Sequence, residues 1–150
     1  MNFVEFLKQL QSNDNYHADK YGDWLGYNIK EVKKEEMEVT TTLEIRDDHL
    51  SPSRAVHGGV ISGFLDFTCG CAVFATLEKE QLTSTVELNV KYFKPLREGD
   101  KVYAVARVVN KGKTLCSVIA DMYVEGKDRP FALATGTFNI YPISKVFKKS

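Results

Sequence analysis

The stretch His57-Gly58-Gly59-Val60-Ile61-Ser62-Gly63-Phe64-Leu65-Asp66-Phe67-Thr68-Cys69-Gly70-Cys71-Ala72-Val73-Phe74-Ala75-Thr76-Leu77 decides the reading of this chain. It is too long for an ordinary strand, so Gly59–Leu77 is expected to be one helix of nearly 30 Å at about 1.5 Å per residue. Val60, Ile61, Phe64, Leu65, Phe67, Val73, Phe74 and Leu77 fall on every side of it. A helix of that kind is buried on most sides. Glu78-Lys79-Glu80-Gln81 ends it.

The flanks are strand-like. On the N-terminal side, Trp24–Val32 and Met37–Ile45 bracket the polar Lys33–Glu36 and read as a hairpin. The second arm, Met37-Glu38-Val39-Thr40-Thr41-Thr42-Leu43-Glu44-Ile45, alternates and is rich in β-branched residues. Arg46–Val56 is polar, contains Pro52 and reads as an extended loop. On the C-terminal side, strands are expected at Thr85–Phe93, Val102–Val109, Thr114–Val124 and Phe131–Ile140, joined as an antiparallel meander. Asn110–Lys113 is its tight turn. Phe3, Phe6, Leu7 and Leu10 lie at helical spacing, which predicts a short helix over 2–11 and a loop to about 20. Residues 142–150 are expected to be a mobile tail. An α+β architecture follows, a curved antiparallel sheet wrapped around one long central helix. The chain of 150 residues is one domain, 1–150, with no repeat or linker.

Composition excludes several classes. Lysine plus arginine equals aspartate plus glutamate at 20 each, so there is no basic excess of the kind nucleic-acid binders carry. No uncharged apolar run of about 18 residues is present, so no membrane span is expected. Cys69, Cys71 and Cys116 are odd in number and make no disulfide framework, which suits a reducing, cytoplasmic setting. The three histidines, at 17, 49 and 57, have no metal-ligand spacing to the cysteines, so no metal is expected. The GxSxG, HExxH and GxxxxGK[ST] motifs are missing.

Two features of the helix carry chemistry. Asp66 is the only charged residue between Gly58 and Leu77. A carboxylate there is costly unless hydrogen-bonded or paired, so it either meets a polar edge or serves a reaction. Gly58 and Gly59 at the helix start permit close backbone approach to unpaired N–H groups, which attract negative charge and can stabilise an oxyanion. They read equally as a loop needing positive φ at Gly58. Gly59, Ser62 or Gly63, and Asp66 share a face, yet Gly59 and Asp66 lie two turns, roughly 10 Å, apart. A site using both must combine two antiparallel helices, hence two subunits.

The stretches 49–72, Thr85–Asp100 (TVELNVKYFKPLREGD) and 108–138 make the chain resemble the hotdog-fold thioesterases, specifically the phenylacetate-pathway (PaaI-like) acyl-CoA thioesterases. The resemblance covers most of residues 24–141. It implies a homodimer with sheets joined side by side and shared active sites, dimers pairing into a homotetramer, and acyl-CoA as substrate. Coenzyme A then enters as part of that substrate, and no cofactor is required. It implies that Gly59 N–H holds the thioester carbonyl and His57 supports that loop. Asp66 of the partner acts as general base or nucleophile, and Thr85 positions the water. Relatives carry Asn and Gly where this chain has Ser51 and Arg54, so the part that Ser51 plays beside the substrate carbonyl changes. Within that frame Gly58 and Ser62 contact the substrate, Phe64, Leu65 and Phe67 form the acyl slot, and Lys91, Lys94, Arg97, Lys111 and Lys113 neutralise the CoA phosphates. The alternatives are a non-catalytic acyl-CoA sensor, which has no need of Asp66, and an acyl-thioester hydratase or dehydratase, which requires a histidine–carboxylate pair.

Overall fold

The computed structural model describes residues 19–146, so the helix expected over 2–11 lies outside the described residues. The elements are α1 (Lys20–Leu25), β1 (Asn28–Lys33), β2 (Glu38–Glu44), α2 (Gly58–Phe74), β3 (Gln81–Tyr92), β4 (Lys101–Lys111), β5 (Leu115–Val124) and β6 (Ala132–Pro142). The six strands form one antiparallel sheet in the order β1-β2-β4-β5-β6-β3. The helix α2 lies across its concave face, the hotdog arrangement.

Alternation builds that face. Val39, Thr41 and Leu43 of β2, Val102, Ala104, Ala106 and Val108 of β4, and Val118, Ala120 and Met122 of β5 are all buried. So are Ala132, Ala134 and Phe138 of β6. Five of these are alanines, and the short side chains let a helix seat closely on the sheet. Val60, Ile61, Phe64, Leu65, Thr68, Cys69, Ala72 and Val73 of α2 meet them. The stripe Ser62, Gly63, Asp66, Phe67, Gly70 and Phe74 stays partly open.

Three expectations need correction. The strand expected at Trp24–Val32 begins only at Asn28, and its first two residues, Trp24 and Leu25, close the helix α1. Asp19 caps it by accepting from Gly22 N at 2.8 Å, and Gly26 ends it in the left-handed region at φ 79°. Those caps outweigh the strand preference of Trp24. The last four strands are not a meander. Only β4, β5 and β6 follow one another, while β3 crosses to the far edge and pairs with β6. With β3 at that edge, β4 is free to pair with β2, and the 93–100 connection spans the gap. Residues 142–145 are not a loose tail. Pro142 ends β6, and a 3₁₀ turn over Ile143–Lys145 is fastened by Ile143 N donating to Glu80 O at 2.8 Å.

Candidate active site

The helix start is held from two sides. Val56 N donates to Leu96 O at 3.0 Å, and His57 N donates to His49 O at 2.9 Å. His57 is the N-cap, with extended backbone, and its Nδ1 accepts from Gly59 N at 3.3 Å. A neutral His57 therefore carries its proton on Nε2. The Gly59 N–H, expected to be free for a carbonyl, is thus shared with His57, while the Gly58 N–H finds no acceptor among the described residues. Tyr92 hydroxyl donates to Gly58 O at 3.2 Å, and Ser62 Oγ donates to Gly59 O at 3.2 Å.

The chain itself does not require glycine at either position. Neither Gly58 nor Gly59 has positive φ. A Cβ at Gly58 would meet Tyr92 no closer than 3.7 Å, and one at Gly59 would meet His57 Nδ1 at 3.6 Å, both ordinary contacts. The positive-φ reading of Gly58 is therefore wrong. The open ground at this helix N-terminus faces outward, where a ligand or a second chain can come close. Gly63 is different: its Cβ would fall 2.0 Å from the Tyr21 hydroxyl, which rests directly on the helix.

Two turns further on, Asp66 is partly exposed and accepts from Thr85 Oγ1 at 2.7 Å. No cation pairs with Asp66 among the described residues. The carboxylate sits at the edge of a cleft of about 250 Å³ between α2 and the start of β3, walled by Phe67, Gly70, Cys71, Phe74, Phe138 and the run Thr83-Ser84-Thr85. Burial pushes the Cys71 thiol up to about 12, and burial with the charge of Asp66 does the same to Cys69. Both are neutral thiols at physiological pH, so neither is a nucleophile. Burial also raises the Tyr27 phenol, whose ring lies 3.7 Å from that of Phe67. Among the described residues no group of three or more His, Cys, Asp or Glu is placed to hold a metal ion.

The other expected residues scatter. Phe64 and Leu65 have no exposure and belong to the core, because they face the sheet; of the three proposed slot residues only Phe67 reaches the cleft. Ser51 is spent on its own loop, donating to Ala55 O at 2.9 Å and lying 2.9 Å from Ser53 Oγ. Arg54 occupies the left-handed region at φ 63°, which explains why a glycine suits this position, and it pairs with Glu98 at 3.3 Å. Lys94 lies 5.3 Å over the Phe131 ring, beyond the end of β3 that adjoins Gly58. Lys111 donates to Thr76 O just past the other end of α2, and Lys113 is exposed in the adjoining turn. Within one chain these lysines therefore flank opposite ends of a 17-residue helix, roughly 25 Å long.

Three residues near the site escaped the sequence reading: Tyr21, Tyr92 and Thr83. A tyrosine two residues past Asp19, or one ending a strand, carries no pattern that marks it as near a helix start. Thr83 lay ahead of the boundary expected for its strand.

Comparison with known proteins agrees with this architecture. The family model described as the Thioesterase superfamily matches residues 53–130, just over half the chain. Human acyl-coenzyme A thioesterase 13 is 25% identical over 84 residues, 56% of this chain and 59% of that protein, so the match spans little more than half of the human relative. The phenylacetic acid degradation protein PaaI of Thermus thermophilus superposes with a TM-score of 0.71 at 26% identity, covering 81% of this chain and 98% of that one. A thioesterase of Haemophilus influenzae superposes at 0.79 over 100% of this chain and 96% of its own, and at 21% identity it speaks for the fold alone.

Proposed function

This chain belongs to the Thioesterase superfamily, with a PaaI-like hotdog fold, and from that premise we propose that it is an acyl-CoA thioesterase using Asp66 on the reacting carbonyl. Thioester hydrolysis is the activity the family supports. The acyl-CoA substrate and the roles below are our reading. The observation that carries it is the 2.7 Å hydrogen bond from Thr85 to an otherwise unpaired Asp66 at the mouth of an apolar cleft.

Asp66 and Gly59 of one chain stand about 10 Å apart along α2, too far to act on one carbonyl. Two antiparallel copies of α2 bring the Asp66 of one beside the Gly58–Gly59 start of the other. The edge strand β3 supports such a dimer, since its outer side bonds no strand among the described residues and Val86 and Tyr92 are exposed on it. Antiparallel pairing also sets Lys111 and Lys113 of one subunit alongside Lys94 of its partner, a composite cationic patch suited to the phosphates of CoA. Pairing of dimers into a homotetramer, in a reducing cytoplasmic compartment, completes the reading. The three cysteines are all free, and no helix among the described residues is long and apolar enough to cross a membrane.

In the reaction, the thioester carbonyl oxygen lies against the helix N-terminus. Water held by the second carboxylate oxygen of Asp66, which the direct bond from Thr85 orients, attacks the carbonyl carbon and gives its proton to Asp66. Backbone N–H groups and the helix dipole hold the oxyanion. The C–S bond then breaks, the carboxylic acid forms, and the CoA sulfur leaves as thiolate and takes the proton from Asp66, which restores the carboxylate. Direct attack by Asp66 would give an anhydride that water then cleaves, with the same products. His57 tunes the donor: its Nδ1 competes with the carbonyl for Gly59 N–H and must yield when substrate arrives.

Thiol release from a panel of acyl-CoAs, wild type beside Asp66→Asn, tests this. The variant is expected to lose roughly 10²–10⁴ in rate with its fold intact. Equal rates in both proteins, or no turnover of any acyl-CoA by the wild type, would overturn the proposal.

A further inference from the structure

The Gly58–Gly59 peptide at the start of α2 is gripped at both ends. Its N–H is that of Gly59 and donates to His57 Nδ1 at 3.3 Å, while its oxygen is that of Gly58 and accepts from the Tyr92 hydroxyl at 3.2 Å. Tyr92 comes from another element. It closes β3 opposite Ala132 of β6, and Phe93 N beyond it donates to Phe131 O at 2.9 Å, so the sheet fixes where the ring stands. A methyl at Gly58 would meet Tyr92 Cε1 at 3.7 Å and the hydroxyl at 3.8 Å, which places the ring beside this peptide. Ser62 makes the same kind of bond one peptide further on, to Gly59 O at 3.2 Å. There, however, the N–H belongs to Val60 and is already committed to His57 O at 2.9 Å. The peptide that Tyr92 holds is the one whose N–H stands on exposed ground and can turn from His57 to a ligand.

We infer that Tyr92 is a positioning residue that aims and polarises the Gly58–Gly59 peptide as the oxyanion donor. The inference rests on the hydrolase reading of the site and adds a residue to it. A hydrogen bond to a peptide oxygen draws electron density through the C–N resonance, leaves the N–H more positive and makes it a stronger donor. The same bond resists rotation of the peptide plane when the N–H leaves His57 Nδ1. The one proton of the Tyr92 hydroxyl is spent on Gly58 O, so the residue acts through Gly59 N–H and not on the substrate. The gain grows as negative charge forms on the carbonyl oxygen, so it belongs to the transition state more than to substrate binding. Tyr92 is half exposed in the single chain. A partner and a substrate over the helix start exclude water from its bond and strengthen it.

Tyr92→Phe removes the hydroxyl and keeps the ring. Against an acyl-CoA that wild type cleaves, the variant is expected to lose roughly three- to tenfold in kcat, the size of one neutral hydrogen bond. KM, melting temperature and subunit association should stay at wild-type values. On the Gly59→Ala background, where the donor is already obstructed, Tyr92→Phe should cost nothing further. A second readout needs no turnover. In the NMR spectrum of isotope-labelled free protein, the Gly59 amide should move upfield in Tyr92→Phe, because the bond to Gly58 O deshields the N–H that follows and the ring current is retained. A wild type that turns over nothing removes the hydrolase reading, while the amide shift still decides whether Tyr92 polarises the peptide. An unmoved Gly59 amide overturns the inference, and so does a Tyr92→Phe variant with wild-type kcat. A loss that persists in full on the Gly59→Ala background also overturns it, since the hydroxyl would then act on the substrate itself. Loss of rate together with subunit association would make Tyr92 an interface residue instead.

Discussion

Thr85 Oγ1 reaches across from the edge strand β3 and donates to Asp66 Oδ1 in the middle of α2 at 2.7 Å. That one bond ties the long helix to one of the two edge strands of the sheet. It occupies one carboxylate oxygen and so fixes the orientation of the other. Removing the hydroxyl by Thr85→Ala is expected to lower kcat by about 10–100-fold, the loss typical of a hydrogen bond to a charged group. Thr85→Ser should keep most of the rate. Steady-state thiol release on both variants decides it, and an Ala variant as fast as wild type would make the contact merely structural.

The glycines at the helix start give a prediction in which stability and activity part company. A methyl at Gly59 meets only His57 Nδ1, at 3.6 Å, and the backbone there is not left-handed. Gly59→Ala should therefore fold normally and gain up to about 0.5–1 kcal/mol from the lower entropy cost of alanine in a helix. It should nevertheless lose more than tenfold in kcat/KM, because the methyl stands where the carbonyl and the partner helix approach. Thermal melting beside thiol release reads both quantities. Full activity in Gly59→Ala would remove the helix N-terminus from the reaction.

How far the sequence exposed this site follows from what each residue's signal consists of. The helix over 58–74 was legible because its apolar run is too long for a strand and ends in charge. Asp66 was legible because it alone interrupts that run, and the expectation of two subunits rests on helical rise alone. Phe64 and Phe67 looked interchangeable as slot residues, and only the direction from which the sheet covers α2 separates core from cleft. The place of β3 was hidden, since alternation says that a strand has two faces and nothing about which strand lies beside it. The helix α1 did carry its signal, in Asp19 and Gly26, but the aromatic and β-branched residues from Trp24 to Val32 drew the reading toward a strand. Thr83 differs from Ser84 and Thr85 in the burial of its hydroxyl, a property of the packed state.

The thiols bear on how activity is measured. Cys69, Cys71 and Cys116 are buried, and burial raises all three, the first two to about 12 from an ordinary value of 9.0. Native protein at pH 8 should therefore release no colour from a disulfide reagent that reports free thiol, and denatured protein should titrate three thiols per chain. The unfolded chain loses these protons first, near pH 9, while the folded chain holds those of Cys69 and Cys71 to about 12. Folding stability is thus fully present below pH 9 and falls as pH rises through that interval. Rapid modification of native protein at pH 8 would contradict the burial.

The core bond between α2 and β2 has a direction that mutation can expose. Thr68 Oγ1 donates its only proton to Phe64 O at 2.8 Å, so across the 2.6 Å contact with Thr41 it must be the acceptor and Thr41 the donor. Thr68→Val then leaves the Thr41 hydroxyl buried with its donor unmatched, at a cost of about 1–3 kcal/mol. Thr41→Val leaves Thr68 still bonded to Phe64 O and should cost less, about 0.5–1.5 kcal/mol. Replacing both removes donor and acceptor together with little change in shape, so the double variant should be more stable than Thr68→Val alone. Urea unfolding of the four proteins closes the cycle. Additive losses would mean that the two hydroxyls are not coupled, and a larger loss in Thr41→Val than in Thr68→Val would contradict the assigned direction.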